Sequence, residues 1–375
     1  MLHRNCPSPS HDDFHSKPSF HLWISGVSKM MKMSKKEKKI FRKQVRSCKI
    51  LEKHEGIKSV DEASRFLFIG NGGLVCGVQR EDLMTIFNEF GPIEDIVMLP
   101  EKPYSFVVFQ DVQNAEAAML ASIRGVFLQE LNHSFHLSYV DKVPHHVNPY
   151  ESGLLPPGLI LLEDFLTEEE ENLLMELDVK EEKEDDINNT VVCHRSLKHR
   201  QVKHYGFEFN YRTNNVDKDH PLKEPIPTIC IQHLRRIQDI TGLFPKLPDQ
   251  LTVNKYLPGQ GIPPHIDTHS AFEDGIISLS LGSQIVMDFQ NPAGEHVPFL
   301  LPRRSALIMT GESRYSWSHG ITPRKTDVVP DTDHSGQLTL MHRRTRVSLT
   351  FRVIRRGECN CGYPKQCDSQ QKYKR

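Results

Sequence analysis

The amino-acid sequence predicts an α+β protein of two domains, an N-terminal ferredoxin-like unit followed by a C-terminal double-stranded β-helix, or jelly roll. Three observations carry that prediction. Over residues 65–140, apolar runs and amphipathic stretches follow in the order strand, helix, strand, strand, helix, strand, which is the split β-α-β-β-α-β arrangement. From Leu251 onward the pattern shortens into strand-length runs parted by Gly and Pro turns, as in a jelly roll. Between the two, residues 141–158 contain four prolines and read as a linker.

Composition narrows the class. A chain of 375 residues with 38% hydrophobic and 25% charged residues is long enough for two cored domains and is neither fibrous nor wholly disordered. No apolar run approaches the roughly 18 to 20 residues of a membrane span, the longest being residues 159–162 and 276–281, so no membrane association is expected. Residues 20–27 are weakly apolar, interrupted by His21, Ser25 and Gly26, and no secretion signal is read there. Of eight cysteines, five are scattered singly and three cluster at Cys359, Cys361 and Cys367, which is not a disulfide framework. The expectation is a monomer in a reducing compartment, the cytoplasm and also the nucleus.

Taken in order, residues 1–28 are rich in His, Ser and Pro, lack periodicity and read as a disordered lead. Residues 29–58 turn helical, with Ile40, Phe41, Val45, Cys48 and Leu51 at roughly helical spacing. Around them Lys29, Lys32, Lys35, Lys36, Lys38, Lys39, Arg42, Lys43 and Arg46 are offset only by Glu37. A net charge of −1 therefore conceals a basic amphipathic helix, balanced by an acidic run over residues 168–186. In the front domain, residues 62–142, strands are expected at 66–70, 93–99, 106–109 and 135–139, with helices at 80–90 and 112–123. After the linker at 143–157, the second domain (158–355) opens with a strand at 159–165 and a helix at 168–177 capped by Thr167. A second helix follows at 225–240. Strands are then predicted at 251–256, 276–281, 284–289, 296–301, 305–309, 317–321 and 346–354, before a tail at 356–375.

Two stretches of the front domain carry aromatics at telling positions. Lys102-Pro-Tyr-Ser-Phe-Val-Val-Phe109 follows the longer strand signature of RNA-recognition motifs, basic at Lys102 and aromatic at Tyr104, Phe106 and Phe109. It departs at Pro103 and Ser105, where glycine or alanine is usual. Leu67-Phe-Ile-Gly-Asn71 resembles the shorter signature. Strand alternation puts Tyr104 and Phe106 on one face beside Phe68, a platform on which unstacked bases would lie. Pro103 points to a backbone-driven grip shared with the basic arm.

In the second domain His265-Ile-Asp267 precedes His319 by 54 residues. Two imidazoles and one carboxylate on one face of iron(II) leave adjacent positions open for a bidentate keto acid and dioxygen. On a strand, residues i and i+2 point the same way, so His265 and Asp267 are expected side by side on one. Arg346-Val-Ser-Leu-Thr-Phe-Arg352 closes the strand series, with Arg346, Ser348 and Arg352 on one face, as an arginine fork for a carboxylate requires.

Together, Asn254-Lys-Tyr256, His265-x-Asp267, His319 and Arg346-x-Ser-x-Thr-Phe-Arg352 resemble the AlkB family of nucleic-acid dioxygenases over roughly residues 155 to 355. The resemblance implies iron(II) on His265, Asp267 and His319. It also implies 2-oxoglutarate on Asn254, Tyr256, Arg346 and Arg352, with Tyr256 and Arg346 at the distal carboxylate. A preceding RNA-recognition motif and a following cysteine cluster match the branch that hydroxylates 5-methoxycarbonylmethyluridine at the wobble position of transfer RNA. Alternatives from the same resemblance are oxidative demethylation of N-methylated bases and an inactive RNA-binding protein.

Residues 195–204 match the place of a basic nucleotide lid in such enzymes, with Lys198, His199 and Arg200 as RNA contacts. That branch continues into a methyltransferase domain, for which a longer form would need an activator subunit. Only 23 residues follow Arg352, so hydroxylation alone is expected of this chain. Cys359, Cys361 and Cys367 need a fourth donor for tetrahedral zinc(II). His269 fills that place in the resemblance, with His342 or Asp368 as substitutes.

Overall fold

A computed structural model describes residues 35–100, 102–123, 135–145, 148–150, 153–177, 194–197, 200–332 and 337–371. The expected lead over 1–28, the first residues of the basic helix (29–34), residues 178–186 of the acidic run, and Lys198 and His199 lie outside them. The chain divides into two compact units, the first over Met1–Cys76, Glu81–Val97 and Pro103–His145 and the second over His146–Arg375 together with Gly77–Arg80 and Met98–Lys102.

In the first unit a long helix, α1 (Lys35–Glu55), precedes β1 (Ser59–Val60), β2 (Phe66–Gly70), α2 (Arg80–Phe87), β3 (Ile93–Met98), β4 (Tyr104–Phe109), α3 (Val112–Ile123) and β5 (His136–Val140). The strands form one antiparallel sheet in the order β1-β5-β2-β4-β3. Its registry sets Phe68 opposite Phe106 and Gly70 opposite Tyr104, so the predicted aromatic cluster forms, with Phe68 5.4 Å from the Tyr104 ring centre and 5.8 Å from that of Phe106.

The cluster is not an open platform. Phe68 and Phe106 are 0% exposed and Tyr104 2%. The covering element is α1: Gln44 Nε2 donates to the Leu137 carbonyl at 2.6 Å, Cys48 lies 3.3 Å from Ser138 Oγ, and the Tyr104 hydroxyl donates to Glu55 Oε1 at 2.7 Å. Leu51 of the same helix is fully buried. The physical reason is amphipathicity: a helix with an apolar stripe must bury it, and three aromatic rings on a neighbouring sheet face offer the largest apolar area to bury it against. Its outward face keeps Arg42, Lys43, Arg46, Lys49 and Lys53 in solvent.

The second unit is a double-stranded β-helix. Its major sheet runs β6-β16-β13-β20-β11-β8-β7, built from β6 (Leu159–Leu162), β7 (His194–Leu197), β8 (Arg200–Tyr205), β11 (Gln250–Tyr256), β13 (Ile276–Leu281), β16 (Ala306–Met309) and β20 (Arg346–Arg352). The minor sheet runs β12-β17-β14-β15, from β12 (Ile262–His265), β14 (Ile285–Gln290), β15 (His296–Leu301) and β17 (Ser318–Ile321). Two hairpins escaped the sequence reading, β9 (Phe209–Asn210) with β10 (Asn215–Val216), and β18 (Thr326–Pro330) with β19 (Leu338–His342). So did the one-turn helix α6 (Gly311–Tyr315).

Helices α4 (Glu168–Met175) and α5 (Thr228–Thr241) back the major sheet. They pack Leu174, Cys230, Leu234 and Ile237 against Val253, Ile277, Leu279, Val347, Leu349 and Phe351. Thr167 and Glu170 cap α4 reciprocally, as its sequence predicts. Alternation along β20 then does the positioning: its odd-numbered residues enter this core, and Arg346, Ser348, Thr350 and Arg352 point to the opposite face, toward the minor sheet. The expected basic lid over 195–204 falls on β7 and β8, which pair with each other and, through β8, with β11.

Candidate active site

The space between the two sheets holds the predicted iron and cosubstrate residues. On the minor sheet, β12 and β17 pair so that His265 lies opposite His319, with ring centres 4.5 Å apart. A Cβ at Gly320 would stand 2.8 Å from the Pro264 nitrogen, so glycine beside His319 is what lets the two strands approach. Asp267 is not on a strand, because β12 ends at His265. The carboxylate is brought round by the turn that follows, not by strand alternation. Asp267 Oδ1 accepts from Arg352 Nη2 at 3.1 Å, whereas Oδ2 is buried with no hydrogen-bond partner among the described residues, as is His319 Nδ1.

The electrostatics favour a cation. Burial raises the Asp267 carboxyl, but Arg352, His319 and His265 together outweigh it and hold the group ionised well below the usual carboxylate range. Burial, with His265 adding to it, pushes His319 down to about 3; burial also lowers His265, against the pull of Asp267. Two neutral imidazoles and a bare carboxylate form the donor set that a divalent iron takes. An unpartnered, buried Oδ2 fits that role.

The cosubstrate side is equally specific. Arg346 is 1% exposed, and its Nη2 donates to Ser280 Oγ at 2.9 Å. Its guanidinium lies 5.7 Å from the Tyr256 ring centre, and burial pulls it down to about 10. Among the described residues no carboxylate pairs with it, and its Nε has no partner. A buried guanidinium without an anion is costly, so the site is complementary to a carboxylate. Asn254, Tyr256, His319, Arg346, Ser348 and Arg352 share one narrow cleft of about 50 Å³.

Arg352 lines the same cleft and is also hydrogen-bonded within the protein. Besides Asp267, it donates to Gln250 Oε1 at 3.3 Å and Thr252 Oγ1 at 3.2 Å. Arg200, expected as an RNA contact, points inward and donates from Nε to Asn254 Oδ1 at 3.1 Å. A second cavity of about 350 Å³ adjoins the iron residues and is lined by Arg200, Phe209, Tyr211, Asn214, Pro264 and Phe272. Phe209, Tyr211 and Asn214 carried no sequence signal, because they sit on or beside a two-residue hairpin with no periodicity to read. Lys102 belongs to the described residues but lies nowhere in this site.

The cysteine cluster also assembles. The ligand atoms of His269, Cys359, Cys361 and Cys367 all lie within 4.8 Å of one another. His269 Nε2 is buried without a partner among the described residues, and Tyr315 packs edge-on against its ring at 4.9 Å. Burial and the nearby Arg314 push His269 down to about 4, so it is a neutral donor; burial, with a hydrogen bond to Cys361, lifts the Cys359 thiol to about 12 in the metal-free state. Three sulfurs and one imidazole at this spacing suit a tetrahedral soft-ligand ion. The substitutes fall away: Asp368 is taken by Ser270, accepting from its backbone nitrogen at 3.0 Å and from its hydroxyl, and His342 is exposed on β19.

Comparison with known proteins identifies both domains. The 2OG-Fe(II) oxygenase superfamily matches residues 158–352, and the RNA recognition motif matches residues 67–122. A Xenopus tropicalis protein named tRNA (carboxymethyluridine(34)-5-O)-methyltransferase alkbh8 is 48% identical over 92% of this chain and 55% of its own length. Its Mus musculus counterpart is 46% identical over 92% of this chain and 52% of its own, so the chain spans about half the length of these relatives. An Arabidopsis thaliana protein named as an alkylated DNA repair protein ALKBH8 homolog is 35% identical over 81% of this chain and 92% of its own. The chain belongs to the 2OG-Fe(II) oxygenase superfamily, is a dioxygenase carrying an RNA recognition motif, and is a homologue of the ALKBH8 proteins.

Proposed function

We propose that this dioxygenase hydroxylates 5-methoxycarbonylmethyluridine at the wobble position of transfer RNA, with His265, Asp267 and His319 holding iron(II). The observation that carries the reading is the buried Arg346 guanidinium, unpaired with any carboxylate among the described residues and set beside the triad. It matches the distal carboxylate of 2-oxoglutarate, with Tyr256 and Asn254 lining the same cleft. Iron and 2-oxoglutarate, when bound, supply oxidation of a substrate C–H bond by dioxygen, with the keto acid lost as succinate and carbon dioxide.

The chain's own residues do the rest. Arg352 fixes one carboxylate oxygen of Asp267 and leaves the other for the metal. The 350 Å³ cavity gives a nucleoside a place next to the iron residues, with Phe209 and Tyr211 as apolar walls and Arg200 as a donor. Zinc(II) is assigned to His269, Cys359, Cys361 and Cys367, where it would anchor the tail. The relatives' printed names concern carboxymethyluridine at position 34 of transfer RNA, which supports the substrate class. Outside the pocket, the exposed basic face of α1, with Lys102, Lys198 and His199, is assigned to the transfer-RNA backbone.

The test is incubation with iron(II), 2-oxoglutarate and total transfer RNA, followed by nucleoside mass spectrometry. The expected product is the ester-bearing uridine with one added oxygen. Release of formaldehyde with loss of a base methyl group would instead identify a demethylase.

A further inference from the structure

We propose that Arg314 is a positioning residue that fixes the backbone of Asp267 and joins the iron residues to the cysteine cluster. This inference rests on the assignment of Asp267 as an iron ligand. Arg314 is 2% exposed, on the one-turn helix α6, and among the described residues no carboxylate forms an ion pair with it. Its hydrogen bonds go to backbone carbonyls: Nη1 donates to Asp267 at 2.7 Å, and Nη2 to Thr268 at 3.3 Å and Phe272 at 3.5 Å, while its guanidinium lies 4.7 Å from the Tyr315 ring centre. Burying a guanidinium this way costs more than an apolar side chain of the same volume would, so packing alone does not account for it.

The carbonyls it gathers belong to residues 267–272, which start with an iron residue and contain a cluster residue, His269. The same segment is gripped from the other side. Arg355 donates from Nε to the His269 carbonyl at 2.9 Å and from Nη2 to the Tyr315 hydroxyl at 3.1 Å, and Tyr315 is the neighbour of Arg314 and packs on the His269 ring. Asp267 is therefore fixed at both ends, its carboxylate by Arg352 and its carbonyl by Arg314. A metal-binding carboxylate held in this way needs no reordering when the ion arrives, which is how partners behind the ligands raise affinity.

The experiment compares Arg314→Met and Arg314→Lys with wild type, using Arg303→Met as a stability control, since Arg303 clasps the buried Glu171 far along the chain from this segment. Two readouts are taken: anaerobic titration with iron(II) and 2-oxoglutarate, followed by the visible charge-transfer band, and amide exchange over residues 267–272 in metal-free protein. Arg314→Met should weaken iron(II) binding by about 10- to 100-fold and speed exchange in that segment, with Arg314→Lys partly restoring both. Should Arg314→Met fail to fold, Arg314→Lys alone is read, with a smaller shift in the same direction expected. Wild-type iron affinity in the folded variants overturns the proposal, as does an equal loss in Arg303→Met at matched thermal stability. If wild type itself takes no iron(II), the iron assignment falls, and this inference with it.

Discussion

Arg352 Nη2 and Asp267 Oδ1 lie 3.1 Å apart, which gives one arginine of the closing strand to a carboxylate of the protein and leaves Arg346 as the receptor for an incoming one. The two arginines should therefore fail differently. Arg346→Ala is expected to raise the 2-oxoglutarate KM by roughly 10- to 100-fold, the worth of a charge-assisted hydrogen bond of about 1.5–3 kcal/mol, with iron affinity nearly intact. Arg352→Ala is expected to lower iron affinity first. Titrating each ligand separately distinguishes them, and identical profiles for both variants would refute the division of labour.

His265→Ala or Asp267→Ala should abolish succinate formation while leaving RNA affinity almost unchanged, because these side chains lie between the two sheets. Normal turnover in either variant would remove the iron assignment.

The aromatic cluster of the RNA recognition motif should behave as core. Phe106→Ala is expected to lower stability by about 3–5 kcal/mol, and Tyr104→Phe by about 1 kcal/mol through the lost bond to Glu55. Replacing Arg42 and Arg46 on the exposed face of α1 by Glu should instead weaken RNA binding and flatten its salt dependence, with the melting temperature little changed. Filter binding at two salt concentrations alongside thermal melts checks both halves. Weaker RNA binding by folded Phe106→Ala at unchanged stability would return the rings to a stacking role.

His269→Ala should lose the cluster's metal and part of the thermal stability together, while Asp368→Asn should keep the metal. Elemental analysis after iron chelation decides: full zinc in His269→Ala removes that residue from the ligand set, and none in wild type removes the site.

Acid sensitivity follows from the buried histidines. His319 is held down to about 3, and His233 and His136 are also lowered, in each case chiefly by burial. Below the ordinary 6.5 the unfolded chain binds more protons at these histidines than the native one, so native stability falls as pH drops, for His319 down to about 3. Urea midpoints of the metal-free protein should be lower at pH 5 than at pH 7. Equal midpoints would contradict it.

How much of this the sequence showed depends on how local each signal is. The β-α-β-β-α-β order and the strand carrying Arg346, Ser348 and Arg352 are written in local apolar periodicity, and both appear with boundaries within about three residues. For the three cysteines some 90 positions after His269, ligand chemistry showed only that a fourth donor was needed, and the family resemblance pointed to His269. What escaped was non-local. Alternation placed Phe68, Tyr104 and Phe106 on one face correctly, but nothing in those strands says that α1 returns to cover it. Arg314 was invisible for the same reason, since its partners are carbonyls and carbonyls have no sequence identity.

The covered sheet bears on how this protein can be divided for study. A fragment cut after Glu55, at the start of the conventional β-α-β-β-α-β core, would strip the lid from three adjoining rings and expose a contiguous apolar surface on a small domain. Surfaces of that kind drive self-association. Such a fragment should be sticky and bind many ligands weakly, including nucleic acid, and an affinity measured on it would report the cut and not the native molecule. A fragment that starts at Lys35 keeps the cover in place.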